Sequence, residues 1–411
     1  MRVTYVSPSA GLGGAERVLL TMLSACARVM PEFVPTVVLC ENGPLAALAR
    51  ALGAEVAVVP MPEELATLGD SGVGGEGVSA LTLLLRSGRA GFAARVYAHK
   101  IRSASMDFHP DLIHSNGIKT HLLCGLAPVK SAPLVWHIHD FLSARNLTKR
   151  MLAWTSKSVT TAIAVSNAVA QDVRSVVSKV PVDTILNAVD LTRFAPGVGD
   201  GARLDALAGL KVLPSGVLRV GLVACYANWK GHDVFLKAAA HVLARKPGWF
   251  VRFYVIGGPL YRTHGSQFSR QHLERLGAEL GLGAQLGFVD FQEDPTEIYR
   301  ALDIAVHASV RPEPFGLTVA EAMACGKAVI VSQAGGAAEL FHDGVDAIGV
   351  PPANVEALGE AIQVLVGDST LRAHLGVQAR ITAEKKFAIE RFGAQLAASY
   401  LRSISVFKAA K

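Results

Sequence analysis

The sequence predicts two doubly wound α/β domains in tandem, and three observations carry that prediction. Short apolar, β-rich runs alternate with helical patterns along all 411 residues. The alternation pauses in a polar, glycine-rich segment at 196–214 and then restarts. Hydrophobic residues make up 51% of the chain, enough for two large cores.

In the first half, strands are expected at 2–7, 36–39, 56–59, 112–114, 134–139, 162–165 and 184–186. Helices are expected at 15–29, 45–52, 91–106, 119–127 and 168–177. Strands separated by helices make a parallel sheet with helices on both faces. In the second half, strands are expected at 218–224, 251–257, 285–288, 304–307, 328–331 and 348–350. The helices between and after them fall at 234–244, 271–280, 295–300, 319–325 and 355–365. A last helical stretch, 392–406, closes the chain. The expected division is an N-terminal domain at 1–195, a linker at 196–216, a C-terminal domain at 217–388 and a returning helix at 389–411. Two such domains facing each other leave a deep cleft, because open α/β sheets bind ligands outside the carboxyl ends of their strands.

Composition excludes several classes. No apolar run approaches the roughly 20 residues of a spanning helix. The N-terminus enters a strand directly, so no secretory leader is expected. Cys26, Cys40, Cys124, Cys225 and Cys325 are scattered singly, which argues against a disulfide framework or zinc knuckles and fits a reducing cytoplasm. The net charge is +6, unevenly spread. Between Arg86 and Lys157 eleven basic residues, among them Arg89, Arg95, Lys100 and Arg102, face only Asp107, Asp111 and Asp140. That asymmetry suggests an anionic membrane surface or a phosphorylated acceptor. No recognisable nucleic-acid motif accompanies it, so nucleic acid is not an expected partner. Ahead of the basic stretch, Gly69–Gly77 holds five glycines in nine residues and reads as a mobile loop near the acceptor entrance or as an idle surface insertion. Residues 86–102 carry the composition either of an interfacial helix, with Phe92, Val96 and Ile101 among the bases, or of a helix whose apolar residues are core.

The most informative run is 309–339. Glu313 and Glu321 have seven residues between them. Between these acids lies a turn, Phe315 to Thr318, that feeds a short helix stopped by Gly326. A glycine-containing helix start exposes backbone N–H groups and the positive end of a dipole, which suits a phosphate. Ionised carboxylates accept hydrogen bonds from sugar hydroxyls. One element thus offers a phosphate seat and two hydroxyl clamps, which is what a nucleotide sugar needs. Lys230 and Gly231 sit after another strand and before a helix, where a lysine can reach a diphosphate as a mobile point charge. A cation there opposes the helix dipole, so a functional reason is expected. In the first half, Gly11, Gly13 and Gly14 follow the first strand and would let backbone approach an anion. As a dinucleotide fingerprint that loop fails, because Glu16 stands where the third glycine belongs. His114 to His121 and Trp136 to Asp140 end two further strands. His137 and His139, two apart, are expected on opposite faces, so that at most one reaches the site. For the same reason no zinc site is expected.

The run 309–339 resembles the E-x7-E signature of the retaining glycosyltransferases of family 4, which have the GT-B fold. The glycines and acid at Gly335, Gly336 and Glu339 extend the likeness. The loop Gly13 to Arg17 resembles the family's N-terminal loop beside the diphosphate and acceptor. The resemblance implies a metal-independent hexosyltransferase that uses a nucleoside-diphosphate sugar as co-substrate and no other cofactor. It implies a retaining transfer to a hydroxyl of a glycan or lipid-linked acceptor, in cell-surface polysaccharide or glycolipid synthesis on the cytoplasmic side of a membrane.

By the same likeness Lys230, Glu313 and His139 are the catalytic candidates, Glu321 holds the ribose and Glu313 the sugar. Gly316, Leu317, Thr318, Gly13, Gly14 and Val289 complete the donor side, with Val289 near the base. Arg17, Asn116 and Lys119 fall on the acceptor side. Ser166 and the turn Asn187 to Asp190, where Ala188 replaces the family's glycine, are expected to be structural. The family usually carries an arginine five residues before the lysine. Here Cys225 stands there, and Arg311 is one candidate substitute. Two other readings use the same motifs: a GT-B epimerase or phosphorylase, and a non-catalytic sugar-nucleotide-binding subunit.

Overall fold

The computed structural model describes residues 1–66, 80–144, 146–213, 216–246, 248–259 and 266–411. The glycine-rich Gly69–Gly77 segment lies outside the described residues, as do the side chains of Arg86 and Arg89. The chain divides into two compact units. Unit 1 comprises Met1–Ala188 and Ile389–Lys411, and unit 2 comprises Val189–Ala388.

Unit 1 starts with β1 (Arg2–Ser7), α1 (Gly14–Val29), β2 (Val34–Leu39), α2 (Pro44–Ala51), β3 (Glu55–Val58) and α3 (Glu63–Ala66). It continues with α4 (Ala80–Asp107), β4 (Leu112–Ser115), α5 (Ile118–Leu126), β5 (Leu134–Ile138) and α6 (Asn146–Thr155). Then come β6 (Val159–Ala164), α7 (Asn167–Val176) and β7 (Val182–Thr184). The seven strands are parallel, in the order β3-β2-β1-β4-β5-β6-β7. Their inward residues are buried on both faces, which explains why the strands read as continuous apolar runs. Ser166 caps α7 by accepting from the Val169 N–H, a structural role.

Unit 2 holds α8 (Gly201–Leu207), β8 (Leu218–Val223), α9 (His232–Arg245), β9 (Val251–Ile256), α10 (Arg270–Glu279) and β10 (Leu286–Val289). After these come α11 (Thr296–Ala301), β11 (Ile304–His307), α12 (Leu317–Ala324), β12 (Ala328–Ser332) and β13 (Ile348–Val350). It ends with α13 (Val355–Gly367) and α14 (Ser369–Lys386). Its six parallel strands run β10-β9-β8-β11-β12-β13. Residues 196–216, expected as a linker, belong to this unit. Within them α8 buries Asp205, which is 0% exposed and paired with Arg219 at 3.0 Å and Arg252 at 3.0 Å. Through these pairs Asp205 ties the segment to β8 and β9.

The last helix, α15 (Ile389–Ala409), packs on α1 of unit 1 and buries Phe392, Leu396 and Tyr400 in its core. No helix among the described residues is long and apolar enough to cross a membrane.

In both sheets the strand order reverses direction at one place, between β1 and β4 in unit 1 and between β8 and β11 in unit 2. At such a reversal the connections leave for opposite faces of the sheet, and α/β sheets take their ligands at the carboxyl edge there.

Candidate active site

Unit 2 brings the switch-point loops of β8 and β11 together. After β8 the chain makes a short turn, Asn228–Lys230, and reaches Gly231 at φ +71°. A Cβ at Gly231 would lie 1.9 Å from the Ala308 carbonyl oxygen, so only glycine lets the two loops approach. That approach delivers Lys230 to Glu313: its Nζ donates to Oε1. The ammonium also lies 4.1 Å from the Trp229 ring centroid. Oε2 of Glu313 accepts from His307 Nε2 at 2.5 Å and from Ser309 Oγ at 2.6 Å. Burial alone would raise the Glu313 carboxyl, but Lys230 and His307 outweigh it and hold the acid well below the usual carboxylate range. The Gly335–Gly336 turn buttresses the same residue, with the Gly336 N–H donating to the Glu313 carbonyl at 2.7 Å.

Eight residues on, Glu321 lies buried in α12, where Oε2 accepts from Tyr299 Oη at 2.9 Å. The helix starts from Gly316 at φ +102° and has no side-chain cap. Leu317 and Thr318 in its first turn are half-buried. The first-turn N–H groups therefore have no capping side chain, an arrangement whose dipole favours negative charge nearby. Val289 closes β10, is buried, and its carbonyl accepts from the Gly257 N–H at 2.9 Å. Cys225 is partly exposed in the loop after β8, and Arg311 is exposed.

In unit 1 the loop after β1 is tied down by Glu41, which accepts from Ser9 Oγ at 2.8 Å and the Ala10 N–H at 2.9 Å. Gly13 caps α1 in extended conformation, and Gly14 is exposed. Neither adopts a positive φ. Glu16 is buried in the first turn, and burial raises its carboxyl above the ordinary value although the Glu16 and Gly13 N–H groups bind it. The acid that spoils the dinucleotide fingerprint thus reaches back over the helix start as a capping box does. Arg17 is half-buried. Lys119 is half-buried and donates to the Ala66 carbonyl.

The histidines of unit 1 correct one expectation. His137 and His139 do not face opposite sides: their ring centroids are 4.2 Å apart. Side chains alternate along a strand, so residues two apart share a face. His114 joins the group 5.2 Å from His137. Burial lowers His114 to about 3 and His139 to about 4, so these rings are neutral near pH 7. Among the described residues no three His, Cys, Asp or Glu side chains converge as metal ligands would. Asn116 is buried and accepts from His139 Nε2 at 2.7 Å.

His307, Ser309 and Tyr299 were not singled out from sequence. His307 is a strand residue six positions before Glu313, and nothing in that spacing marks it as a partner. Ser309 lies inside the run that was recognised, and only the geometry reveals which oxygen it serves.

Comparison with known proteins bears on the family and the fold. The family model for glycosyl transferases group 1 matches residues 213–382, and that for glycosyltransferase family 4 matches residues 12–193. The chain is a glycosyltransferase family 4-like protein with the GT-B fold. Over 97% of this family 4-like chain and 99% of the other, it superposes on Anabaena HepE crystallised with UDP. That match has a TM-score of 0.77 at 23% identity. Sucrose-phosphate synthase of Thermosynechococcus elongatus superposes with a TM-score of 0.75 at 18% identity, over 99% of this chain and 100% of that one. Both likenesses speak to fold. In sequence, the chain is 35% identical over 225 residues to D-inositol 3-phosphate glycosyltransferase of Rhodococcus erythropolis. That alignment takes in 54% of this chain and 48% of the relative, so the chain spans about half the length of the curated relatives it matches.

Proposed function

We propose that the chain is a retaining, metal-independent glycosyltransferase that moves a sugar from a nucleoside-diphosphate sugar to an acceptor hydroxyl. The observation that carries the reading is the unit 2 switch point, where Lys230, Glu313, Glu321 and the uncapped start of α12 share one edge of the sheet. An ammonium and a helix N-terminus stabilise the charge that develops on a departing diphosphate, commonly the largest electrostatic contribution to such a reaction. Glu321 has the chemistry to hold ribose hydroxyls. Glu313, an acid kept ionised by Lys230 and His307, has the chemistry to hold sugar hydroxyls and to steady positive charge at the anomeric carbon. His139 lies at the carboxyl end of β5 as a neutral ring that can share a hydrogen bond with the transferred sugar. UDP is the first nucleotide to test, because a structural relative was crystallised with it. A phosphorylated or lipid-linked polar acceptor fits both the basic stretch and the inositol phosphate in the curated relatives' names.

The test is a thermal-shift ladder with UDP, GDP, ADP and dTDP, then their sugars, since a ligand bound by the folded state alone raises its melting temperature. Acceptor-dependent nucleotide release in excess chelator is the expected second result. Release of nucleotide without acceptor points to an epimerase. Binding without turnover on any acceptor points to a non-catalytic subunit. Loss of activity in chelator overturns metal independence.

A further inference from the structure

Asn116, expected on the acceptor side, is buried, and its hydrogen bonds run to the start of α1 and to His139. Asn116 follows β4, is 1% exposed, and has no free face to offer a substrate. Its backbone is fixed. The N–H donates to the Val6 carbonyl at 2.9 Å, and the next residue, Gly117, has φ +150° with Pro8 packed where a Cβ would be. Its side chain touches two groups. Nδ2 donates to the Ala15 carbonyl at 3.2 Å, and Oδ1 lies 2.7 Å from His139 Nε2.

Only one arrangement of protons satisfies both contacts. Turning the amide over would set Oδ1 against the Ala15 carbonyl, two acceptors with no proton between them. The amide therefore keeps its NH₂ toward Ala15 and its oxygen toward the ring. A carbonyl oxygen needs a donor, so His139 must carry its proton on Nε2 and leave Nδ1 as the lone-pair nitrogen. Ala15 belongs to the first turn of α1, immediately after Gly13 and Gly14. One buried amide thus links the glycine loop of unit 1 to the candidate histidine.

We infer that Asn116 is a positioning residue that holds His139 as its Nε2–H tautomer and ties the ring to the start of α1. The inference rests on the reading of His139 as part of the reaction. The remaining imidazoles around the ring cannot do this work. His137, on the same strand, has Nδ1 3.2 Å from Met22 Sδ, and His114 has Nδ1 2.8 Å from Tyr400 Oη. His121 has Nδ1 2.7 Å from Ser115 Oγ. None of these contacts fixes which His139 nitrogen is protonated. Tautomer selection by a neighbouring side chain matters because it decides which ring nitrogen carries the proton and which is left as an acceptor for the transferred sugar.

The test is long-range ¹H–¹⁵N NMR of the imidazoles in the full-length chain, with kinetics in parallel. In the unaltered chain at neutral pH, His139 is expected to show a protonated Nε2 and a bare Nδ1. A protonated Nδ1, or a mixture of tautomers, overturns the inference and leaves the glycosyltransferase reading untouched. In Asn116→Ala the preference is expected to vanish and kcat to fall at least tenfold with the donor KM little changed. Asn116→Asp keeps an acceptor for Nε2 but loses the donor to Ala15, so it is expected to restore the proton on Nε2 while leaving the start of α1 untied. A single Nε2–H tautomer persisting in Asn116→Ala overturns the positioning role. An unchanged kcat with a lost preference removes His139 from the reaction, and that failure belongs to the functional reading.

Discussion

At the residue scale the pairing of Lys230 with Glu313 decides the most. Both side chains are nearly buried, and each neutralises the other where neither could stand alone. Lys230→Ala is expected to cut turnover by about 10²–10³, because no arginine stands at 225 to share the diphosphate charge. Steady-state kinetics with correctly folded variant checks this, and near-normal turnover would move the diphosphate seat elsewhere. The same pair sets an acid limit. The folded carboxyl of Glu313 lies below its unfolded value, so its contribution to stability is fully present above about pH 4.3 and fades as pH falls toward the folded value. Urea unfolding of the unaltered chain and Glu313→Gln is expected to show a stability gap that is constant at neutral pH and narrows only on the acid side. A gap that widens with acid would contradict the ionised pairing. The spacing of Glu313 and Glu321 was legible because both acids flank one turn in sequence. His307 was not, since strand residues reveal their partners only after the sheet is ordered. The His137–His139 relation was legible in principle from strand periodicity and was misread.

At the element scale, most strands and helices were readable because a parallel sheet buries continuous apolar runs between amphipathic helices. α14 was missed, and so was α8, whose Asp205 sits at the centre of a buried ion cluster that composition alone presents as loop. The helices α4 and α6 present apolar side chains both to the core and to the surface. Ile101 of α4 is core, 1% exposed, whereas Phe92 is 73% exposed and Val96 43%. Met151 and Trp154 of α6 are 50% and 58% exposed beside the exposed Arg150 and Lys157. Both helices pack on α5. The apolar stripe expected from sequence is therefore split between core and surface, and its surface part lies among basic residues. Exposed aromatics with cations bind the boundary of an anionic bilayer. Co-sedimentation is expected with anionic vesicles and not with neutral ones, and is expected to weaken in Phe92→Ser and Trp154→Ser. Equal binding to both vesicle types would reject this face as a lipid contact.

At the scale of the whole molecule, the chain leaves unit 1 after Ala188, builds unit 2, and returns at Ile389. Each unit has its own core, so they need not fail together. The return helix α15 makes the asymmetry testable. Phe392, Leu396 and Tyr400 are each 0% exposed in the core of unit 1, against Met22, Cys26 and the strands β1 and β2. Fully burying such a side chain stabilises by about 1.5–3 kcal/mol, and three together approach the roughly 5–15 kcal/mol that holds a typical domain folded. Ending the chain at Ala388 also removes the Tyr400 hydroxyl, so that the His114 ring loses its Nδ1 partner and keeps none at Nε2 among the described residues. The truncated chain is expected to unfold in two steps, with unit 1 melting well below unit 2. Hydrogen exchange would then find β1 and β4 unprotected while β8 and β11 stay protected. Retention of nucleotide binding by the truncated chain, with all transfer lost, is the expected functional result, because Lys230, Glu313 and Glu321 all belong to unit 2. A single cooperative melt, with β8 and β11 losing protection at the same temperature as β1, would show that the two units fold as one.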